Sequence, residues 1–341
     1  MRFSKKSFLL RTLLSLALGA SAMSAARADV SLLNVSYDVT REFYKDYNAA
    51  FARHWKQTTG ETVTINQSHG GSSKQAGSVV AGLAADVITM NQANDIDILA
   101  ERGGLVPADW AKRLPNNSAP TTSVTVILVR KGNPKQIKDW VDLAKPGVSV
   151  VIPNPKTSGN GRYTYLAAWG SVIKSGGNPK QARDLVQRLF ANVPVFDGGG
   201  RAATTTFAQR QIGDALVTFE SEVPLIRNEF GGDYQVVYPK HTVLAENPVS
   251  VVDKVVDKKG TRKQAEAYLK YLWSDEGQAI AAKHNLRPRS DKVLAQYKAA
   301  FLQIPTFTVD EVFGGWKKAQ AEHFNDGATY DQIIAAGRAG R

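Results

Sequence analysis

Four short segments combine residues able to hold an anion: Tyr37-Asp38-Val39-Thr40, His69-Gly70-Gly71-Ser72-Ser73, Pro153-Asn154-Pro155-Lys156-Thr157-Ser158-Gly159-Asn160-Gly161 and Asp197-Gly198-Gly199-Gly200-Arg201. Each follows an apolar run that reads as a strand and precedes a helical pattern, and the last three are rich in Gly, Ser or Thr. The first N–H groups of a helix have no partner within it, and the macrodipole places partial positive charge at that end. Glycine lets the backbone approach a ligand closely, and Ser or Thr adds a hydroxyl donor. One such end alone is an ordinary capped turn. Several converging on one point make an anion site.

No reaction centre can be assembled from the remaining residues. The absence of cysteine removes thiol catalysis and cysteine-ligated metals. The histidines, His54, His69, His241, His284 and His323, show no H-x-H or H-E-x-x-H spacing, so neither a metal ligand set nor a nucleophile–base pair is expected. Lys156-Thr157-Ser158-Gly159 and Ser171-Val172-Ile173-Lys174 echo two elements of penicillin-recognising enzymes, but in reversed order and without S-D-N between them. There is no G-x-S-x-G elbow, no G-x-x-x-x-G-K-[ST] loop and no G-x-G-x-x-G in a dinucleotide-binding context. Glu220 and Glu222, flanked by apolar and Pro residues just after a strand, read as cap or hinge residues rather than an acid–base pair. No cofactor, metal or catalytic activity is expected.

The elements that must position the four segments alternate between strand and helix. Strands are expected at 31–36, 62–66, 86–89, 124–130, 148–152, 193–196, 215–219 and 234–238, and helices at 41–58, 73–84, 161–175, 179–191, 204–211 and 261–273. The last helix opens with Thr261-Arg262-Lys263-Gln264, a capping-box pattern. Such alternation predicts α/β architecture with largely parallel sheets, in which strand-to-helix turns gather at the carboxyl ends of strands where clefts form. At this length two lobes are expected. The small, polar stretch from Gly327 is expected to fray.

Residues 1–28 carry basic residues, then an apolar run, then Ala26-Arg27-Ala28, the order of a cleaved signal peptide with Asp29 as the mature N-terminus. The apolar part is far shorter than the roughly 20 residues that span a bilayer. Cleavage would remove five of the 43 basic residues and none of the 31 acidic ones, lowering the net charge from +12 to +7. The basic residues are interspersed with acids, as in Asp257-Lys258-Lys259, which reads as a solvated face and not a nucleic-acid stripe.

At the same loops the chain resembles the sulfate- and thiosulfate-binding proteins of bacterial ABC importers. Leu32-Leu33-Asn34-Val35-Ser36-Tyr37-Asp38, Gln67-Ser68-His69-Gly70-Gly71-Ser72, Leu128-Val129-Arg130-Lys131-Gly132-Asn133-Pro134-Lys135, Asn154-Pro155-Lys156-Thr157-Ser158-Gly159 and Tyr165-Leu166-Ala167-Ala168-Trp169-Gly170 carry the likeness, and Val249–Lys254 and Val312–Trp316 extend it. The resemblance implies a type II periplasmic-binding fold of two α/β lobes, with crossings near 124–130 and 245–251, residues 29–123 plus 247–341 in lobe I and 124–246 in lobe II. It further implies a periplasmic, monomeric binding protein that delivers sulfate or thiosulfate to the membrane permease subunits of an importer. A different small oxyanion, such as molybdate, phosphate or an organosulfonate, is the alternative ligand.

Carried over residue by residue, the donors would be the backbone N–H groups of Asp38, Ser72, Gly159, Asn160 and Gly200 with the Ser158 hydroxyl, and Arg201 would support its loop. The Asp38 carboxylate would turn away to cap the helix that follows it. In sulfate-binding members a Trp after the strand at 215–218 donates its indole N–H; here that position is Phe219, as in thiosulfate-binding members.

Overall fold

The computed structural model describes residues 29–231 and 234–339; segment 1–28, expected to be a cleaved signal peptide, lies outside them. The first half of lobe I is built by β1 (Val30–Tyr37), α1 (Arg41–Thr59), β2 (Val63–Gly70), α2 (Ser72–Val80), β3 (Val87–Thr89) and α3 (Asn94–Gly103). Then β4 (Thr121–Val129) leads into lobe II, comprising β5 (Val150–Pro153), α4 (Gly159–Lys174), α5 (Pro179–Ala191), β6 (Phe196–Asp197), α6 (Gly200–Thr204), β7 (Ala215–Phe219), α7 (Glu222–Phe230) and β8 (Gln235–Val237). The chain returns through β9 (Thr242–Asn247) and β10 (Val249–Val251) to α8 (Asp253–Lys259), α9 (Arg262–Tyr271) and α10 (Asp275–Lys283). It ends with β11 (Arg287–Pro288), β12 (Thr306–Phe307) and α11 (Thr329–Ala339), shorter helical turns joining these elements.

Lobe I holds a sheet of order β10-β3-β1-β2, and lobe II a sheet of order β12-β9-β4-β7-β5-β6. The expectation of largely parallel sheets holds for β1, β2 and β3 and for β5, β6 and β7, whereas β4 pairs antiparallel with β7, β8, β9 and β11. β4 is buried along its whole length, and its Val/Ile/Thr content suits a strand covered on both faces. Its first residues, Thr121–Val124, pair with Leu244–Asn247, and this antiparallel pair forms the two crossing strands between the lobes.

Two departures concern the C-terminal third. The lobe boundaries expected from sequence gave all of 247–341 to lobe I. Instead, Phe307, Phe324, Tyr330 and Ile333 belong to the same core as Tyr165, Leu185 and Phe190 of lobe II. The cause is an apolar docking face: β12 adds beside β9, and Gly170 of α4 leaves room for Phe307, whose ring would lie 2.2 Å from a Cβ there. The stretch from Gly327, expected to fray, forms α11 as far as residue 339 and buries Tyr330 and Ile333, with the Tyr330 ring 5.7 Å from that of Phe190. Sandwiched in this way, α4 is buried on every side from Gly159 to Ser171 rather than being amphipathic.

Local signals fared unevenly. Asn178 and Gln181 cap α5 reciprocally, with Pro179 at its first position. The capping box at Thr261 does not form. Its hydroxyl donates to Asp86 instead (2.5 Å), because that fully buried carboxylate demands donors and also takes the Leu33 N–H (2.7 Å) and Lys259.

Candidate functional site

The carboxyl ends of β1, β2 and β3 in lobe I face those of β5 and β6 in lobe II, so the strand-to-helix turns meet at the lobe interface. After β1 the chain makes a tight turn at Asp38–Thr40, held by the Thr40 hydroxyl donating to the Tyr37 carbonyl (2.8 Å). After β2, Gly71 precedes Ser72, the first residue of α2. The hydroxyls of Ser72 and Ser73 both donate to the Asp95 carboxylate, the latter at 2.9 Å, and Gln92 Nε2 donates to it at 2.7 Å. Ser72 therefore offers the cleft its N–H and not its hydroxyl.

In lobe II the Asn154 carbonyl accepts from the N–H groups of Thr157 (3.0 Å) and Ser158 (2.9 Å), which folds the Gly-rich loop onto the start of α4. Ser158 precedes that helix in an extended conformation, yet its hydroxyl caps nothing there. Gly161 lies so close to the β5 end that a Cβ would sit 2.3 Å from the Pro153 carbonyl oxygen. Asn160 is anchored by its Nδ2 donating to Thr218 Oγ1 (3.4 Å).

Across the interface the glycines touch. A Cβ on Gly71 of lobe I would lie 2.6 Å from the Gly198 carbonyl oxygen and 2.7 Å from that of Thr157, both of lobe II. A Cβ on Gly199 would lie 2.5 Å from Asp38 Oδ2 and one on Gly200 would lie 3.0 Å from Val39 Cγ1, both of lobe I; within lobe II the latter would also lie 3.3 Å from Asn160 Nδ2. Backbone conformation does not require these glycines; the close approach does. Asp38, Ser72, Ser158, Gly159, Asn160 and Gly200 thus gather at one place. Among the described residues, the N–H groups of Ser72, Gly159, Asn160 and Gly200, in the first turns of their helices, have no acceptor within the chain, while the Asp38 N–H lies against its own carboxylate. Such an arrangement can bind an anion by neutral donors at helix ends.

The charged groups nearby are engaged elsewhere. The Asp38 carboxylate was expected to cap the helix that follows it; instead it accepts the Arg201 N–H at the start of α6 (3.1 Å). Burial raises its pKa, against the lowering pull of Arg201. The Arg201 guanidinium pairs with Glu42 of lobe I and with Glu229 of lobe II (3.2 Å). Arg162 is almost fully buried, donates its Nε to the Pro155 carbonyl (2.9 Å) and lies 3.7 Å from Asp95. Phe219 closes β7 inside the lobe II core, its ring edge-on to Tyr163 at 5.8 Å, and reaches the site through its neighbour Thr218.

One residue was not foreseen, and another sits in a setting different from the one expected. Asn91 follows β3, is buried, and stands against Gly159 of the opposite lobe. It lies on a fifth strand-to-helix turn, Met90–Ala93, which lacks the Gly, Ser and Thr that marked the others; the polar pair Asn91-Gln92 was its signal. Glu222, expected as a cap or hinge residue, makes no cap hydrogen bond. It is fully buried with both carboxylate oxygens unpartnered, and burial pushes its pKa up to about 8, Arg201 opposing and Asp38 adding to the rise. Glu220, by contrast, is paired with Arg287 at 2.7 Å and 3.0 Å. Among the described residues no cluster of potential metal ligands exists, and no helix is long and apolar enough to cross a membrane.

Comparison with known proteins agrees with this geometry. The family model for bacterial extracellular solute-binding proteins matches residues 32–287. A thiosulfate-binding protein of Pseudomonas aeruginosa is 63% identical over 321 residues, 94% of this chain and 97% of that one. A sulfate-binding protein of Escherichia coli is 57% identical over 315 residues, 92% and 95% of the two chains. Among solved structures, the sulfate-binding protein SubI of Mycobacterium tuberculosis superposes with a TM-score of 0.79 at 29% identity, covering 87% of this chain and 100% of that one. With lobes, crossing strands and a cradle of helix ends between them, the chain belongs to the bacterial extracellular solute-binding proteins.

Proposed function

We propose that this chain binds sulfate and thiosulfate between its lobes, without catalysis, and presents the anion to the membrane subunits of an ABC importer. The observation that carries the reading is the convergence of unpartnered N–H groups from both lobes on one point while Arg201 and Asp38 satisfy other groups. A dianion held this way is neutralised by local dipoles at helix ends rather than by a counter-ion. The Gly71, Gly199 and Gly200 contacts let the lobes close around it and exclude water. Relatives named for thiosulfate and for sulfate, both more than half identical to this chain, support the ligand class. Residues 1–28 would direct the protein to the periplasm, where it would act as a monomer.

Selectivity against phosphate follows from counting protons. Sulfate and thiosulfate carry none at neutral pH, so donors alone satisfy them. Monohydrogen phosphate needs an acceptor for its O–H, and an unmet O–H in a dry cleft is costly. Phe219 offers no donor where a Trp would, which suits the larger, weakly accepting terminal sulfur of thiosulfate. Calorimetric titration of dialysed residues 29–341 tests the reading. Micromolar or tighter binding of both sulfur anions with none of phosphate is expected. Failure of both to bind, or binding of another oxyanion instead, would overturn it.

A further inference from the structure

Asn91 carries a buried carboxamide with no use in the fold. The residue is only 2% exposed and its Oδ1 has no partner; next to it the Gln92 Nε2 donates to Asp95 and Ser73 while the Gln92 Oε1 is unpartnered, and the Met90 N–H donates to the Pro248 carbonyl (2.9 Å). A buried amide left unpaired costs free energy, so its presence calls for a partner. Its position supplies the direction. A Cβ built on Gly159 would lie 2.0 Å from Asn91 Oδ1 and 2.9 Å from Nδ2, so the carboxamide rests on the first residue of α4 from the opposite lobe. The two ends of an amide exchange by a simple flip, so either can face the cradle.

We propose that the Asn91 carboxamide is a ligand-binding group of this site, donating its Nδ2–H to the bound sulfur anion from lobe I beside the N–H of Gly159. The proposal rests on the anion-binding reading above and adds to it a side-chain donor that no helix end provides. It also explains why Gly159 must be glycine: any side chain there would expel the carboxamide. Because Asn91 and Gly159 stand on different lobes, the contact forms only when the lobes are closed. The donor therefore favours the closed, liganded form over the open one.

The test uses the parent protein and two variants, Asn91→Ala and Asn91→Asp, titrated calorimetrically with sulfate and with thiosulfate. Loss of a hydrogen bond to a charged ligand corresponds to about 10- to 100-fold weaker binding for Asn91→Ala. Asn91→Asp has nearly the same shape but places an oxygen where the donor was, and is expected to bind more weakly still. The unfolding temperature of ligand-free Asn91→Ala should match the parent's, since the carboxamide holds nothing in the fold; a fall alongside the affinity would mark Asn91 as a packing residue and overturn the proposal. Affinities of Asn91→Ala within twofold of the parent's for both anions would overturn it as well, with the anion-binding reading intact. A parent protein that binds neither anion would remove that reading and this proposal together.

Discussion

The Asp38 carboxylate, on the end of β1 in lobe I, accepts a hydrogen bond of 3.1 Å from the N–H of Arg201 at the start of α6 in lobe II. An acid beside an anion cradle is unfavourable unless its charge is spent, and here it is spent on a helix end of the other lobe. The contact is therefore a clasp as well as a cap. Asn in this position keeps an acceptor for the Arg201 N–H and keeps its own N–H, whereas Ala keeps only the latter. Asp38→Asn is expected to bind sulfate within about threefold of the parent, and Asp38→Ala about tenfold more weakly. Equal losses in both variants, measured by calorimetry, would mean that the carboxylate rather than the hydrogen bond matters.

Gly71 makes the sharpest demand of the interface. Two backbone carbonyls of lobe II stand within 2.7 Å of where its Cβ would be, and backbone yields less readily than a side-chain tip. The lobes of Gly71→Ala cannot close as far, while each lobe folds as before. Sulfate and thiosulfate should bind about 10- to 100-fold more weakly. Small-angle scattering in saturating sulfate should show a larger radius of gyration than the parent's. Parent-like affinity would mean that the closed contact does not form in solution.

What the sequence disclosed follows from the range of the forces involved. The helix-end loops were legible because the need for close approach shows itself in residue type, Gly next to Ser or Thr. β7 and α5 were readable to the residue, from an apolar run in one and from Asn178-Pro179 in the other. Asn91 was hidden because its role depends on a glycine of the other lobe, 68 positions away. The docking of residues 306–339 on lobe II was hidden for the same reason: Phe307 needs the gap at Gly170, and no local pattern encodes that pairing. Thr261 misled because a capping box and a hydroxyl aimed at a buried carboxylate look alike in sequence.

Phe219 offers a test of ligand preference. Its ring is 3% exposed and packs on Tyr163, so Trp must fit a tight place, at a stability cost of about 1–3 kcal/mol. An indole N–H that reaches the anion would favour sulfate oxygens over the terminal sulfur. Phe219→Trp should therefore raise the ratio of sulfate to thiosulfate affinity, and an unchanged ratio in paired titrations would remove Phe219 from the specificity argument.

The tail is expected to matter for folding and not for the ligand. Ile333 on α11 is 1% exposed in the lobe II core. Truncation in Ile333→Ala should cost about 2–5 kcal/mol in chemical denaturation and leave sulfate affinity unchanged. A negligible cost would show that α11 does not hold its place on lobe II.

Glu222 makes both stability and binding depend on pH. Its carboxyl is pushed from its ordinary 4.5 to about 8, chiefly by burial. Between those values the unfolded chain has released a proton that the folded chain retains, so the folded state loses stability steadily as pH rises. The contribution is complete below about 4.5 and gone above about 8. Glu222→Gln keeps the shape and cannot ionise. Its unfolding free energy should therefore exceed the parent's by a margin that widens from pH 5 to pH 8, reaching a few kcal/mol, on the order of 3. Ionisation of Glu222 responds to the charges of Asp38 and Arg201, which border the cradle, so a dianion held there must feel it too. Repulsion should weaken sulfate binding by the parent several-fold above pH 8, and Glu222→Gln should bind evenly across the range. A parent profile as flat as the variant's would place the Glu222 charge too far from the ligand to act on it.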